Sequence, residues 1–218
     1  STHIIKPPIA EYPNSVFNEF FCMRLAEKLG FPAPPCDIIY FDHIPYYCVK
    51  RYDRKENNGK VSRLHQEDFC QLFSVDPEKK YENDGGPTIP ICFNLIKKMH
   101  GGIAGQLDFL RRIIFNFLIG NGDAHAKNFS VIYRGGRPRL APAYDLLSTV
   151  VYPNLSPKLA MKIDSEYNFR WISQGKLLRM GVKAGLTEKI VMKEIQKIQK
   201  KLDKVLDKFT YEINAQHP

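Results

Sequence analysis

Six positions near the middle of the chain hold a carboxylate, an imidazole, an amine and a carboxamide. The segment Gly120–Val131 reads GNGDAHAKNFSV, and apolar residues precede and follow it. Its four reactive side chains are those of Asp123, His125, Lys127 and Asn128. Phosphoryl transfer requires this set of groups: a carboxylate beside the acceptor hydroxyl, cations near the phosphates, and oxygen ligands for Mg²⁺. The segment therefore raises the possibility of phosphoryl transfer.

The spacing within this segment also matches that of a kinase catalytic loop. In protein kinases an Asp accepts the acceptor's proton and an Asn five residues later holds Mg²⁺, which is the spacing of Asp123 and Asn128. Asp145 follows a predicted hairpin that returns the chain to Asn128, so we expect it to be a second metal ligand. His125 and Lys127 can face the phosphates. Asp, Asn and Gly are also ordinary loop residues, and the Asp-x4-Asn spacing alone occurs often by chance.

Two segments nearer the N terminus would complete a nucleotide site. Lys6 ends a predicted strand, and Glu19 lies on the helix that follows. In protein kinases a strand lysine contacts the phosphates and pairs with a helix glutamate. The segment Tyr47–Asp53 (YCVKRYD) can offer main-chain groups to adenine, and Asp53 can reach a ribose hydroxyl. The alternative interpretation is an ordinary surface Lys and Glu and a plain edge strand.

Composition and cysteine content exclude several classes of protein. The chain has 218 residues, of which 44% are apolar and 12% aromatic, as in ordinary globular proteins. No apolar run approaches the ~18 residues that cross a bilayer, and no signal peptide is present, so we expect a cytoplasmic protein. The five cysteines form no CxxC pair, which argues against a disulfide framework or zinc site. The chain opens on STHIIK, a strand in progress without an initiator Met, so we expect upstream residues to be missing.

The basic charge is concentrated near the C terminus. The net charge is +9, and seven lysines lie between Lys189 and Lys208. Apolar residues recur there at steps of three and four, from Val191 to Phe209, which predicts an amphipathic helix with solvated lysines on its outer side. The alternative is a surface that binds nucleic acid or an acidic partner, with binding that weakens steeply as salt rises.

Apolar periodicity and turn residues predict an α+β chain. The polar segment Arg54–Lys60 is the best boundary, which divides the chain into a partial N-terminal lobe, residues 1–53, and a mainly helical C-terminal lobe, residues 54–218. The predicted strands are Thr2–Lys6, Cys36–Phe41, Pro45–Arg51, Phe129–Tyr133 and Arg139–Ala141. The predicted helices run from Asn14 or Ser15 to Gly30, Gln66–Phe73, Thr88–His100, Gln106–Ile119 and through the last forty residues, with a loop at Lys79–Pro87.

The chain resembles the HipA-family kinases, the toxin components of bacterial toxin–antitoxin systems. The matching segments occur in family order: STHIIK at 1–6, VKRYDR at 49–54, QEDFCQ at 66–71, KYENDGGP at 80–87, GDAHAKNFS at 122–130 and YD at 144–145. The resemblance implies a two-lobed protein-kinase-like fold, with a small, incomplete, strand-containing N-lobe and a mainly helical C-lobe. It also implies serine/threonine kinase activity with ATP and Mg²⁺.

The resemblance assigns a role to each matching residue. It implies Asp123 as the proton acceptor, with Asn128 and Asp145 holding Mg²⁺. The residues that it implies for ATP binding are Lys6, Lys50, Arg51, Tyr52, Asp53, Gln66, His125, Lys127 and Tyr144. Lys50–Tyr52 would form the adenine hinge, where Lys50 replaces an acidic residue that is common in the family.

Family membership further implies partners and a missing segment. HipA-family toxins arrest growth, phosphorylate aminoacyl-tRNA synthetases where the target is known, and pair with a helix-turn-helix antitoxin that contacts DNA. Family members carry a phosphate-covering loop with autophosphorylated serines upstream of the Lys6 strand, and this loop is absent here. The sequence fits either a truncated long kinase or a short one whose small N-terminal subdomain is a separate protein.

Two other functions stay open at this stage. One is an inactive kinase-like module that binds an antitoxin or nucleic acid through the basic helix. The other is a small-molecule or lipid kinase, because the pattern D-x-H-x-K-N also resembles the loop of phosphoinositide kinases. No amphipathic or apolar membrane segment supports a lipid substrate, and we expect no membrane association.

Overall fold

The computed structural model describes residues 1–99 and 101–216. It is a mixed structure of helices and strands, which confirms the predicted α+β class. Its strands are β1 (His3–Lys6), β2 (Cys36–Phe41), β3 (Ile44–Lys50), β4 (Arg54–Asn57), β5 (Lys60–Arg63), β6 (Gln66–Asp68), β7 (Ser130–Arg134), β8 (Arg137–Leu140), β9 (Lys158–Ile163) and β10 (Glu166–Asn168). Its α-helices are α1 (Ser15–Leu29), α2 (Phe69–Leu72), α3 (Ile89–Lys97), α4 (Gly102–Leu118), α5 (Gln174–Lys183) and α6 (Glu188–Gln216).

An antiparallel sheet in the order β1-β3-β2 places Lys6 opposite Tyr47. Asp42 and His43 both have positive φ and form the tight turn between β2 and β3. Helix α1 packs on this sheet, and its residues Phe20 and Met23 are buried. The sheet and α1 thus bring Lys6 and the hinge segment to one side of the fold.

The C-terminal part of the chain is built around α4. Phe109, Leu110 and Phe115 on this helix are almost completely buried, and α3 and α6 pack against it. Helix α6 buries its apolar stripe, including Val191 and Ile198, while all seven lysines of its outer side are exposed. The helix is therefore the packed amphipathic helix that the periodicity predicted. Among the described residues, no helix has the length and apolar character needed to cross a membrane.

Three parts of the fold differ from the sequence prediction. The polar segment Arg54–Lys60 lies in the hairpin β4–β5, whose Asn58-Gly59 turn is a strong hairpin signal that the prediction passed over. Gln66–Asp68 is a strand that pairs with β7 rather than the start of a helix. The hairpin β9–β10 has no counterpart in the prediction.

Helix boundaries shift by up to about one turn. Thr88 caps α3 with its side chain instead of lying inside the helix, and α4 begins at Gly102 rather than Gln106. The predicted end of α3 at His100 lies outside the described residues. The division of the chain at residues 53 and 54 stays a prediction.

Candidate active site

A short rigid loop after α4 carries the central motif. Gly120, with φ 71°, ends the helix, and the amide of Gly122 donates to Thr149 Oγ1 at 2.7 Å. The buried Asn121 fixes the next residues: its Oδ1 accepts from the amide of Asp123 at 3.1 Å, and its Nδ2 donates to Asn116 Oδ1 at 2.8 Å. The backbone of the loop is thus held by side chains, which restricts the position of the carboxylate that follows.

The carboxylate of Asp123 is partly exposed, with 40% of the side chain accessible. Its Oδ1 accepts a hydrogen bond of 2.5 Å from the hydroxyl of Tyr81, and Asn128 Nδ2 donates to its main-chain oxygen at 3.1 Å. Burial and the carboxylate of Asp123 raise the pKa of Tyr81 above its usual range, so this phenol stays a hydrogen-bond donor. Asp123 and Asn128, which are five positions apart as in a kinase catalytic loop, are therefore in direct contact.

His125 lies beneath the surface of this loop and is 5% exposed. Its Nε2 is 3.8 Å from Asp123 Oδ1, and its ring meets the Tyr81 ring edge-on at 5.3 Å. Burial lowers the pKa of His125, and the nearby Asp123 opposes that shift only in part. The shift favours the neutral imidazole, and among the described residues its buried Nδ1 has no hydrogen-bond partner.

Lys6 joins two carboxylates from distant parts of the chain. Its Nζ lies 2.8 and 3.0 Å from the carboxylate oxygens of Glu19 and 2.7 Å from Asp145 Oδ1. Burial alone would lower the pKa of Lys6, but the charges of the two carboxylates outweigh it and raise the pKa. Burial raises the pKa of Glu19 to about 7, although Lys6 opposes the shift. Asp145 adopts a left-handed backbone with φ 57°, a strained conformation that often marks functional sites.

Lys6 and Asp145 open onto a cavity of about 330 Å³, which we call the Lys6 cavity. Its volume falls within the range of small-ligand sites. Nine of the residues predicted for the site line it: Lys6, Lys50, Arg51, Tyr52, Asp53, Gln66, Lys127, Tyr144 and Asp145. Apolar side chains of Ile4, Pro34 and Val49 form part of the wall. Asp123, His125 and Asn128 are not among its lining residues.

The hinge segment is organised by one buried carboxylate. Asp53 is 2% exposed and accepts hydrogen bonds from Arg51 at 3.0 Å and Arg54 at 2.5 Å, with Arg63 at 3.9 Å. Burial would raise the pKa of Asp53, but the hydrogen bonds and charges of Arg51 and Arg54 lower it. The carboxylate is thus already surrounded by guanidinium groups.

A tyrosine pair connects the hinge to the catalytic loop. The rings of Tyr52 and Tyr144 stack with centroids 5.7 Å apart. Tyr144 donates to the main-chain oxygen of Lys127 at 2.7 Å, and Tyr52 donates to the side chain of Gln66. These contacts hold the wall of the Lys6 cavity against the loop that bears Asp123.

The oxygen ligands of Asn128 and Asp145 suit a magnesium ion bound together with phosphates. The hydrogen bond from Asn128 to Asp123 uses the amide nitrogen and not the oxygen, which is the atom that a cation binds. Across residues 1–99 and 101–216, no group of three or more His, Cys, Asp or Glu side chains could hold a metal alone. Mg²⁺ usually needs only one or two protein ligands when phosphates supply others, so the residues present fit it.

A second cavity, of about 560 Å³, lies on the other side of the catalytic loop. We call it the Asp123 cavity; its lining includes Tyr12, Tyr81, Gly122, Asp123, Leu155 and Leu159.

The sequence did not indicate Tyr81, Asn121 or Thr149 as site residues. The sequence pointed to Tyr81 only as a member of the segment KYENDGGP, which matches the family but was assigned no role.

Comparison with known proteins assigns the family. The sequence model of the HipA-like C-terminal domain matches residues 1–206. The chain belongs to this family. A protein of Sinorhizobium fredii named "Putative kinase Y4mE" is 49% identical over 165 residues, which cover 75% of this chain and 39% of that protein. The serine/threonine-protein kinase toxin HipA of Shewanella oneidensis is 32% identical over 219 residues, which cover 94% of this chain and 50% of the toxin.

Solved structures support the family's fold for this chain. The complex of Shewanella oneidensis HipA with HipB and operator DNA contains a chain that matches with a TM-score of 0.90 and 31% identity, covering all of this chain and 53% of that one. The Helicobacter pylori proinflammatory kinase CtkA matches with a TM-score of 0.58 at 13% identity, which shows the fold alone. This HipA-like chain has a kinase-like α+β fold, and it spans about half the length of the curated HipA toxin it matches.

Proposed function

We propose that the chain is an ATP-dependent protein serine/threonine kinase of the HipA type. The observation that carries the proposal is the contact of Lys6 with Glu19 and Asp145 in the wall of a ligand-sized cavity, next to the loop of Asp123. A strand lysine, a helix glutamate and a metal-binding aspartate are the parts that kinases use to hold the phosphates. The family and the fold give independent support.

The Lys6 cavity is the proposed nucleotide site. Its apolar wall receives adenine beside the hinge Lys50–Tyr52, while Gln66 and Tyr144 complete the wall. Lys6 and Lys127 bind the phosphate oxygens. Asp53 keeps Arg51 in place rather than binding the ribose freely, because its carboxylate is already bonded to guanidinium groups. His125 supports the loop from beneath and keeps a neutral ring close to the carboxylate of Asp123.

In this proposal Asn128 and Asp145 would hold Mg²⁺, which would neutralise charge on the phosphates. Asp123 accepts the proton of a serine or threonine hydroxyl as its oxygen attacks the γ-phosphorus. The new oxygen–phosphorus bond forms while the bond to the β-phosphate oxygen breaks, and ADP leaves. The partial exposure of Asp123 agrees with this role because the acceptor must reach the carboxylate.

The proposed partners follow from the family. The related Shewanella toxin was solved with HipB and operator DNA. We propose that this chain likewise binds a helix-turn-helix antitoxin, contacts DNA only through it, and acts as a growth-arresting toxin in the bacterial cytoplasm. Aminoacyl-tRNA synthetases are the proposed acceptor proteins, and a separate small N-lobe-like protein is a further proposed partner.

Transfer of labelled γ-phosphate to proteins in a bacterial lysate tests this function. We expect one labelled protein with Mg·ATP, no label when EDTA removes the metal, and a labelled residue that phosphoamino-acid analysis identifies as serine or threonine. If Mg·ATP binds but no protein is labelled, the protein-kinase assignment fails. Salt-sensitive binding of nucleic acid in that case would favour the binding-module alternative.

A further inference from the structure

The Asp123 cavity is a separate compartment from the nucleotide site. Among the described residues, the two cavities share no lining side chain. Asn121 lines neither cavity but bonds to a lining residue of each: its Oδ1 accepts from the amide of Asp123, and its Nδ2 donates to the main-chain oxygen of Asp145 at 3.4 Å. In-line transfer needs the attacking and leaving oxygens on opposite sides of the phosphorus. A second cavity across the catalytic loop is where an attacking group would lie.

Tyr81 shows that a hydroxyl in this cavity can reach the catalytic carboxylate. Its ring lines the cavity, and its O–H donates to Asp123 Oδ1 at 2.5 Å. A serine or threonine hydroxyl that replaced the phenol would make the same hydrogen bond. The acceptor side of the reaction is therefore this cavity.

The chemistry of the lining restricts the acceptor. Four tyrosines and several aliphatic residues form most of the wall, and Leu147 and Leu155 are only half-buried. Among the described lining residues, the ionisable groups besides the tyrosines are two carboxylates, Asp84 and Asp123, and one amine, Lys158. Lys80 and Lys162 lie over the rings of Tyr81 and Tyr167 at 5.0 and 4.9 Å. The lining itself therefore has one more carboxylate than amine and is not the cluster of cations that an anionic phosphoinositide headgroup would require.

We propose that the Asp123 cavity binds an extended polypeptide segment with an apolar side chain next to the phosphorylated serine or threonine. The apolar neighbour packs against Leu155 and the tyrosines, and acidic neighbours are rejected by Asp84 and Asp123. This inference rests on the proposed kinase function and defines its acceptor.

A peptide library with a central serine or threonine and one fixed flanking residue tests the preference. With labelled Mg·ATP, we expect apolar residues to exceed Asp and Glu by about tenfold or more at one flanking position. Leu155→Asp should lower transfer to the apolar-flanked peptides by a similar factor and raise transfer to those with Lys or Arg there. Leu206→Asp, on α6 and outside this cavity, is the control and should keep the wild-type preference.

The outcomes separate this inference from the kinase function itself. If lysate proteins are labelled but peptides show no preference, prefer acidic flanks or are not labelled, the kinase function stands and the proposed acceptor site is wrong. An unchanged preference in Leu155→Asp would also reject the site, provided that Mg·ATP still binds. Labelling of phosphatidylinositol vesicles instead of peptides would point to a lipid acceptor. If nothing is labelled, both proposals fail.

Discussion

The two cavities that flank the catalytic loop are built from different chemistry. The Lys6 cavity presents five cationic side chains and four carboxylates, and several are already paired, as Lys6 is with Glu19 and Asp145. The Asp123 cavity has only three such charges and is formed mainly by tyrosine and aliphatic side chains. Kinases share the same nucleotide but differ in their acceptors. In the proposed function, the charged lining of the Lys6 cavity therefore suits the nucleotide, and the apolar lining of the Asp123 cavity suits the acceptor.

The largest effect on Mg·ATP binding is expected from removing Asp145, the proposed metal ligand in the Lys6 cavity. Asp145→Ala should weaken Mg·ATP binding and transfer together by a factor on the order of 100 or more, because a bound metal contributes several kcal/mol of charge stabilisation. Calorimetry with Mg·ATP and with ATP in EDTA measures the metal-dependent part. Normal Mg·ATP affinity in this variant would remove Asp145 from the metal site.

Stability of the hinge provides the next test. Asp53→Ala leaves Arg51 and Arg54 without their buried partner and should lower the free energy of unfolding by about 3 kcal/mol. The matched control is Asp203→Ala on the exposed side of α6, which should change it by less than about 0.5 kcal/mol. Urea unfolding measures both. Equal stability of the two variants would mean that the arginine cluster does not support the cavity wall.

Much of the Lys6 cavity could be predicted from the sequence, but little of the Asp123 cavity could. Nine residues predicted for the site line this cavity. The predicted pairing of Lys6 with Glu19 occurs at 2.8 Å. Tyr81 lies 42 positions before Asp123, and only the folded chain brings its hydroxyl to the carboxylate.

Strand pairing explains the remaining errors. Gln66–Asp68 becomes a strand because β7 supplies its hydrogen-bond partners, which a local pattern does not reveal. The hairpin β9–β10 contributes Lys158 and Leu159 to the Asp123 cavity, and the prediction assigned it no element. The proposed acceptor side of the site therefore depends on long-range contacts.

The raised pKa of Glu19 predicts a pH dependence of stability. Folded Glu19 keeps its proton up to about pH 7, whereas the unfolded group loses it near its ordinary value of 4.5. Its contribution to stability is therefore present at acidic pH and is lost as pH rises through this window. Relative to wild type, Glu19→Gln should gain on the order of 2 kcal/mol between pH 5 and pH 8. Unfolding curves at both pH values measure the gain, and a constant difference would contradict it.

A smaller effect, on the KM for the acceptor, is expected from replacing Tyr81 in the Asp123 cavity. Tyr81→Phe removes the hydroxyl that competes with the acceptor for Asp123, at a net value of about 1 kcal/mol. The KM for the acceptor should fall a few-fold while kcat and Mg·ATP affinity stay the same. Steady-state kinetics with a labelled peptide or protein separates these quantities. A lower kcat at unchanged KM would show instead that the phenol assists the reaction.

Asp123 lines the second cavity and lies on the loop that also carries Lys127 of the Lys6 cavity, and its replacement tests the account most directly. Phosphate transfer and Mg·ATP affinity should be measured side by side in wild type and Asp123→Ala. We predict that transfer falls by roughly 10²- to 10⁴-fold, the usual contribution of a general base, while Mg·ATP affinity stays close to that of wild type. If Asp123→Ala transfers phosphate at the wild-type rate, Asp123 is not the group that accepts the proton of the serine or threonine hydroxyl.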